Sequence, residues 1–151
     1  MNKKILLPTD GSKNAERAGE YAISHADLTG ADIIVLYVID TDYLNAVIQP
    51  DVRNDLDKEL RADGKKAVET FKKQLEESQC NGTCQNIEFK VLVKEGKPAD
   101  TILKTIEEEG IDQIVMGKSG KQGLERFLLG RTTNQVVKEA KVPVNVISWK
   151  Y

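Results

Sequence analysis

The run Ile33-Ile34-Val35-Leu36-Tyr37-Val38-Ile39 constrains this chain more than any other stretch. Its residues are β-branched, aliphatic or aromatic, without the polar alternation of a half-exposed strand. Such a strand needs cover on both faces, which a parallel sheet with helices on each side provides. The rest of the chain supplies matching parts. Lys4 to Pro8, Ile87 to Val93 and Ile111 to Met116 read as three further strands. Pro143 to Trp149 is a fifth: Val144, Val146 and Ser148 point one way and Asn145, Ile147 and Trp149 the other, as at a sheet edge.

Helix-period segments separate these runs. Ala15, Ala18, Ala22, Ile23 and Ala26 share one face of a helix that Ser12 or Asn14 caps and Gly30 closes. A polar connection from Asp40 to about Pro50 leads into a long helix carrying Val52, Leu56, Leu60, Ala67, Val68, Phe71 and Leu75, with Gly64 as a point of bending. Pro98 suits a first helical position, Ile102, Leu103 and Ile106 form the buried face, and Gly110 ends that helix. Thr132-Thr133-Asn134-Gln135 reads as a capping box, with Thr132 as the cap. The expected fold is α/β: a doubly wound, five-stranded parallel sheet, Rossmann-like, with helices on both faces and right-handed crossovers.

At 151 residues the chain reads as one domain, and 40% hydrophobic residues argue against disorder. The 22 basic and 24 acidic side chains are interspersed, leaving no basic stripe, so nucleic acid is not expected as a partner. No apolar run is long enough to cross a bilayer, and the N-terminal one ends after three residues, too soon for a signal peptide. A cytoplasmic protein without a membrane partner is the expectation. Cys80 and Cys84 read as loop thiols; a disulfide between them is sterically allowed, and two thiols with His25 remote are too few for zinc. His25 reads as a surface residue, Tyr21 and Tyr37 as core or half-buried.

Two loops carry ligand-type chemistry. Gly117-Lys118-Ser119-Gly120 follows a strand, and Gly130-Arg131-Thr132 comes after a nine-residue gap and opens a helix. Glycines let a backbone approach an anion, and a helix start offers unpaired N–H groups. Lys118, Lys121, Arg126 and Arg131 oppose only Glu125 there. The competing reading is a solvated loop with glycines for turns, because this spacing alone is weak evidence. The other loop is Thr9-Asp10-Gly11-Ser12, in which Asp10 is either a ligand group or a helix cap. Ligands in doubly wound sheets sit beyond the carboxyl ends of the strands, where strand order reverses. If the first and fourth strands are neighbours, both loops meet in one crevice.

Three segments together carry a resemblance: Ile5-Leu6-Leu7-Pro8-Thr9-Asp10-Gly11-Ser12, Leu36-Tyr37-Val38-Ile39-Asp40, and Ile114-Val115-Met116-Gly117-Lys118-Ser119-Gly120 with Gly130. Over essentially its whole length the chain resembles the universal stress protein family. The resemblance implies strand order 3-2-1-4-5, a homodimer through Pro143 to Trp149, and ATP as ligand, with any Mg or Mn carried by the phosphates. It further implies that Pro8, Thr9 and Asp10 line the pocket, with Asp10 near the ribose or metal side. Val38 would offer backbone groups to adenine, and Met116 and Gly117 would pack beneath the ribose. Lys118 is a candidate ligand contact from its place in the glycine loop, but Lys118 and Lys121 read first as ordinary solvated charges. Gly120, Gly130, Arg131 and Thr132 would wrap the phosphates. The family's ATP-binding branch has G-x2-G-x9-G-(S/T); here Arg131 stands where the hydroxyl residue belongs and Thr132 follows one place later. Arg131 can clamp phosphate, fill the phosphate site, or face solvent.

The chain lacks G-x-x-x-x-G-K-(S/T), a histidine near the pocket, and G-x-G-x-x-G in its first turn. No catalytic residue and no metal site of the protein's own is therefore assigned. The leading expectation is an ATP-binding, stress-response regulatory module acting as a homodimer. The alternatives are a slow ATPase and a dimeric signalling adaptor with lost or weak nucleotide binding.

Overall fold

Five parallel strands hydrogen-bond in the order β3-β2-β1-β4-β5, in a computed structural model that describes residues 3–118 and 130–148. In chain order the elements are β1 (Lys4–Thr9), α1 (Lys13–Thr29), β2 (Asp32–Asp40), α2 (Thr41–Asn45), α3 (Pro50–Cys80), β3 (Phe89–Gly96), α4 (Pro98–Glu109), β4 (Gln113–Gly117), α5 (Arg131–Glu139) and β5 (Val144–Ile147). β1 pairs with β2 from Lys4↔Asp32 to Thr9↔Tyr37, and with β4 through Ile5↔Gln113 and Leu6↔Ile114.

Alternation along the strands splits the core in two. Ile5, Leu7, Ile33, Val35 and Val115 meet Ala18, Ala22, Ile23 and Ala26 of α1 and Phe71 and Leu75 of α3. Leu6, Ile34, Leu36, Ile114 and Met116 meet Ala99, Ile102 and Ile106 of α4 and Val136 of α5. Each fully buried aliphatic side chain contributes about 1.5–3 kcal/mol, so the unbroken apolar run of β2 holds the sheet from both sides. β5 keeps the expected alternation at the edge, Val144 joining the α4/α5 core and Ile147 the α1/α3 core. The strand covers Val144–Ile147 rather than Pro143 to Trp149, and Trp149 lies outside the described residues.

Other expectations change. β3 runs from Phe89 to Gly96 because β2 pairs with it from Ile33↔Phe89 to Asp40↔Gly96, while Ile87 lies outside the strand, its backbone N–H donating to the Cys84 carbonyl at 3.3 Å. The polar connection after β2 contains α2, capped by the Asp40 carboxylate, which accepts from Asp42 N at 3.0 Å and Tyr43 N at 3.2 Å. α3 is one continuous helix through Gly64, whose missing side chain lets the helix approach β2. Ser12, not Asn14, caps α1, its hydroxyl accepting from Ala15 N at 3.2 Å.

Thr132 is not the cap of α5. The helix begins at Arg131 with Gly130 at the cap position, and the buried Thr133 hydroxyl donates to the Gly117 carbonyl at 3.0 Å. Cys84 lies in the loop after α3 as expected, yet it is buried, donates from Sγ to the Ile23 carbonyl at 3.1 Å, and has its pKa raised by burial and then by Asp27, whereas Cys80 is the last residue of α3. Cys80 is exposed, and both thiols are free. Tyr37 is buried, but Tyr21 is 39% exposed and stacks on His25 with ring centroids 5.8 Å apart. Among the described residues no helix is long and apolar enough to cross a membrane.

Candidate functional site

The pairing of β1 with β4 brings the two ligand-type loops to one end of the sheet. β1 ends in a turn built by its own side chains. Thr9 Oγ1 accepts from Gly11 N at 3.2 Å, and Asp10 Oδ1 accepts from Ser12 N at 2.9 Å. Gly11, at φ +79°, takes the left-handed conformation that delivers the chain into α1. Asp10 therefore shapes the turn while Ser12 caps the helix.

On β4, a Cβ added to Gly117 would lie 2.8 Å from Asn14 Cβ and 2.9–3.0 Å from the Asn14 backbone. The first turn of α1 thus rests directly on the end of β4, and only glycine fits beneath it. Next along, Lys118 N donates to the Ile147 carbonyl at 2.9 Å, and the Lys118 carbonyl accepts from Gly130 N at 2.9 Å. The chain leaves β4 at Lys118 and returns, hydrogen-bonded to the same residue, at Gly130. Gly120, with Ser119, Lys121, Glu125 and Arg126, lies outside the described residues.

Gly130 is buried, Thr132 half-buried and Arg131 exposed at the first position of α5. Among the described residues α5 has no side-chain cap, and Gly130 at its cap position has no hydroxyl or carboxylate to offer the opening N–H groups. Pro8 is buried and Val38 half-buried. By strand alternation Pro8, Val38 and Met116 project to the α4/α5 face, whereas Thr9 and Gly117 face α1 and α3. Val38 lies one step beyond the Thr9↔Tyr37 pair, level with the Asp10 turn. The structure therefore brings Pro8, Thr9, Asp10, Val38, Met116, Gly117, Lys118, Gly130, Arg131 and Thr132 to the carboxyl end of the sheet.

α3 adds features that sequence reasoning missed. Tyr37 lies under Gly64, and its phenol is pushed up to about 12 by burial first, then by the carboxylates of Asp63 and Asp10. A cleft of about 220 Å³ opens beside the β1 turn, bordered by Thr9 and Gly11, by Glu16 of α1, and by Asp63, Lys66 and Gln74 of α3. The signal available in sequence was Asp63-Gly64 three places ahead of Lys66-Ala67, polar and small residues alternating on one helix edge. No group of three or more His, Cys, Asp or Glu among the described residues is placed to hold a metal ion.

An open parallel α/β sheet that sets the β1 turn beside the end of β4 at the reversal of strand order defines the class: a Rossmann-like fold. The chain belongs to the universal stress protein family, whose model matches residues 1–148. It is 34% identical to universal stress protein MJ0577 of Methanocaldococcus jannaschii, over 99% of this chain and 97% of that protein. The solved structure of MJ0577 superposes with a TM-score of 0.80 at 35% identity, covering 100% of this chain and 99% of that one. UspA from Lactobacillus plantarum gives 0.79 at 29% identity, covering 96% and 97%. Two more distant members share the fold and were solved with nucleotides. An Arabidopsis thaliana protein holds AMP (20% identity, TM-score 0.65, 98% and 92% covered), and another member holds cAMP (18%, 0.65, 97% of each chain covered).

Proposed function

We propose that this chain is an ATP-binding regulatory module of the stress response, working as a cytoplasmic homodimer without efficient turnover of its own. The observation that carries the reading is the β1–β4 adjacency, which sets the Asp10 turn beside Gly117, Lys118 and the start of α5. In this reading Pro8, Thr9 and Asp10 border the ribose, the Val38 backbone meets adenine, and Met116 and Gly117 form the floor. The uncapped N–H groups of α5, with Gly130, Arg131 and Thr132, take the phosphates, since a helix N-terminus favours anions. Arg131, exposed at the first position of α5, forks onto phosphate oxygens in place of the missing hydroxyl. A Mg or Mn ion would travel with the phosphates. The AMP and cAMP complexes of distant members fit this use of the fold, while the assignment here rests on this chain's own residues.

Dimerisation is proposed through β5, which lies at the sheet edge beside β4 and pairs with no other strand among the described residues. A signalling adaptor without nucleotide remains the second reading, favoured by Arg131 at the family's hydroxyl position. Calorimetric titration with ATP, together with identification of any nucleotide released on acid denaturation, separates the two. Phosphate release by the pure protein tests the slow-ATPase alternative, and sedimentation tests the dimer.

A further inference from the structure

The cleft between α1 and α3 is held open by the way the two helices touch. At one end α3 comes up against the β1 turn, where a Cβ on Gly11 would lie 3.5 Å from Ala67 Cβ. At the other end a Cβ on Gly19 would lie 2.9 Å from Gln74 Oε1 and 3.1 Å from the Phe71 ring. The Gln74 side chain also donates to the Glu16 carbonyl at 3.4 Å. Between these contacts small Ala15 faces α3, leaving about 220 Å³ unfilled, roughly the volume of seven waters at ~30 Å³ each.

The recess has an apolar floor of Leu7, Ala67 and Phe71 and a rim of opposite charges. Glu16 on α1 and Lys66 on α3 both line it, and neither side-chain charge has an ion-pair partner among the described residues. Asp63 adds a second carboxylate one turn before Lys66. A carboxylate and an ammonium that share a small recess without pairing are complementary to a ligand bearing both charges in the reverse order. We infer that the cleft is a binding site for a small zwitterion of the amino-acid class with an apolar side chain. Its ammonium meets Glu16 and Asp63, its carboxylate meets Lys66, and its side chain rests on Leu7 and Phe71. This site adjoins the proposed ATP site at Thr9 but opens on the α1/α3 side of the sheet, and it is tested without nucleotide.

The test is an amide-resolved NMR titration of the nucleotide-free protein with L-valine, compared with isobutylamine and isovalerate, which each keep one of its charges. Valine should give saturable shifts at Leu7, Gly11, Ala67 and Phe71, and each half-analogue should bind about tenfold more weakly, having lost one charged contact. Lys66 is exposed, so Lys66→Met should leave the fold intact. That variant should weaken valine about tenfold while leaving isobutylamine unchanged, and Glu16→Gln should weaken isobutylamine while leaving isovalerate unchanged. No saturable shift with millimolar valine, or valine affinity indifferent to Lys66→Met, overturns the proposal.

Discussion

Gly64 on α3 lies face to face with the ring of Tyr37 on β2: a Cβ there would sit 2.5 Å from Cδ1, 2.6 Å from Cε1 and 3.0 Å from Cγ. The contact fixes the middle of α3 over the end of β2, beside Ile39 and Ala67. Gly64→Ala should therefore destabilise the protein by about 1–3 kcal/mol from overpacking, despite the ~1 kcal/mol that alanine gains over glycine in a helix. Urea denaturation measures it. Tyr37→Leu should cost less in the Gly64→Ala background than in the wild type, since the clash is with the ring. Additive losses would place the strain elsewhere.

Tyr37 also makes an alkaline prediction. Its folded pKa of about 12 exceeds the ordinary 10.0, so the folded state disfavours tyrosinate. The contribution of the neutral phenol is fully present below the unfolded pKa and is lost as pH rises from about 10 through about 12. Tyrosinate absorbance should show a late phase near pH 12, and Tyr37→Phe should abolish that phase and flatten stability over the same interval. A wild type whose tyrosines all titrate together contradicts it.

Gly117→Ala should push the first turn of α1 off the end of β4, because its Cβ meets Asn14 backbone, which cannot swing aside. About 1–3 kcal/mol of stability should be lost, and the β1 turn should be displaced with it. Shifted amide resonances at Asp10 to Ala15 check the displacement. Unperturbed resonances there would show that α1 yields without cost.

Asp10→Ala should act on ligand more than on folding. Ser12 caps α1 independently, so Asp10→Ala removes the turn bond to Ser12 N while leaving the helix cap in place. Loss of a charged hydrogen-bond partner for nucleotide costs about 1.5–3 kcal/mol, roughly ten- to a hundredfold in affinity. A variant that unfolds easily yet binds nucleotide as before would confine Asp10 to the turn.

These residues also show where sequence sufficed. The β2 run was legible because burial on both faces leaves no polar position, and the Val144/Ile147 alternation because each face meets a different core. The start of β3 was not, because Lys90, Val91 and Val93 are exposed on an edge strand whose extent is set by pairing with β2. α2 is five residues long and exists through the Asp40 cap, too short for any periodicity. The start of α5 was misplaced because a T-x-x-Q pattern fits a capping box, while the bond from Gly130 to Lys118, remote in sequence, sets the helix start. The Asp10 turn and Gly117 were readable from their strand-end positions. Asp63 and Lys66 were hidden among the many charges of a 31-residue helix.

We propose above all that ATP binds at the carboxyl end of the sheet with Arg131 on its phosphates. Calorimetric titration of the wild type and of Arg131→Ala with ATP and with AMP tests it most directly. The account predicts saturable ATP binding by the wild type. In Arg131→Ala it predicts an ATP affinity lowered about tenfold or more, with AMP little changed and the difference shrinking at high salt. A wild type that takes up no ATP and releases no nucleotide on denaturation, or an Arg131→Ala variant that binds ATP as the wild type does, contradicts it.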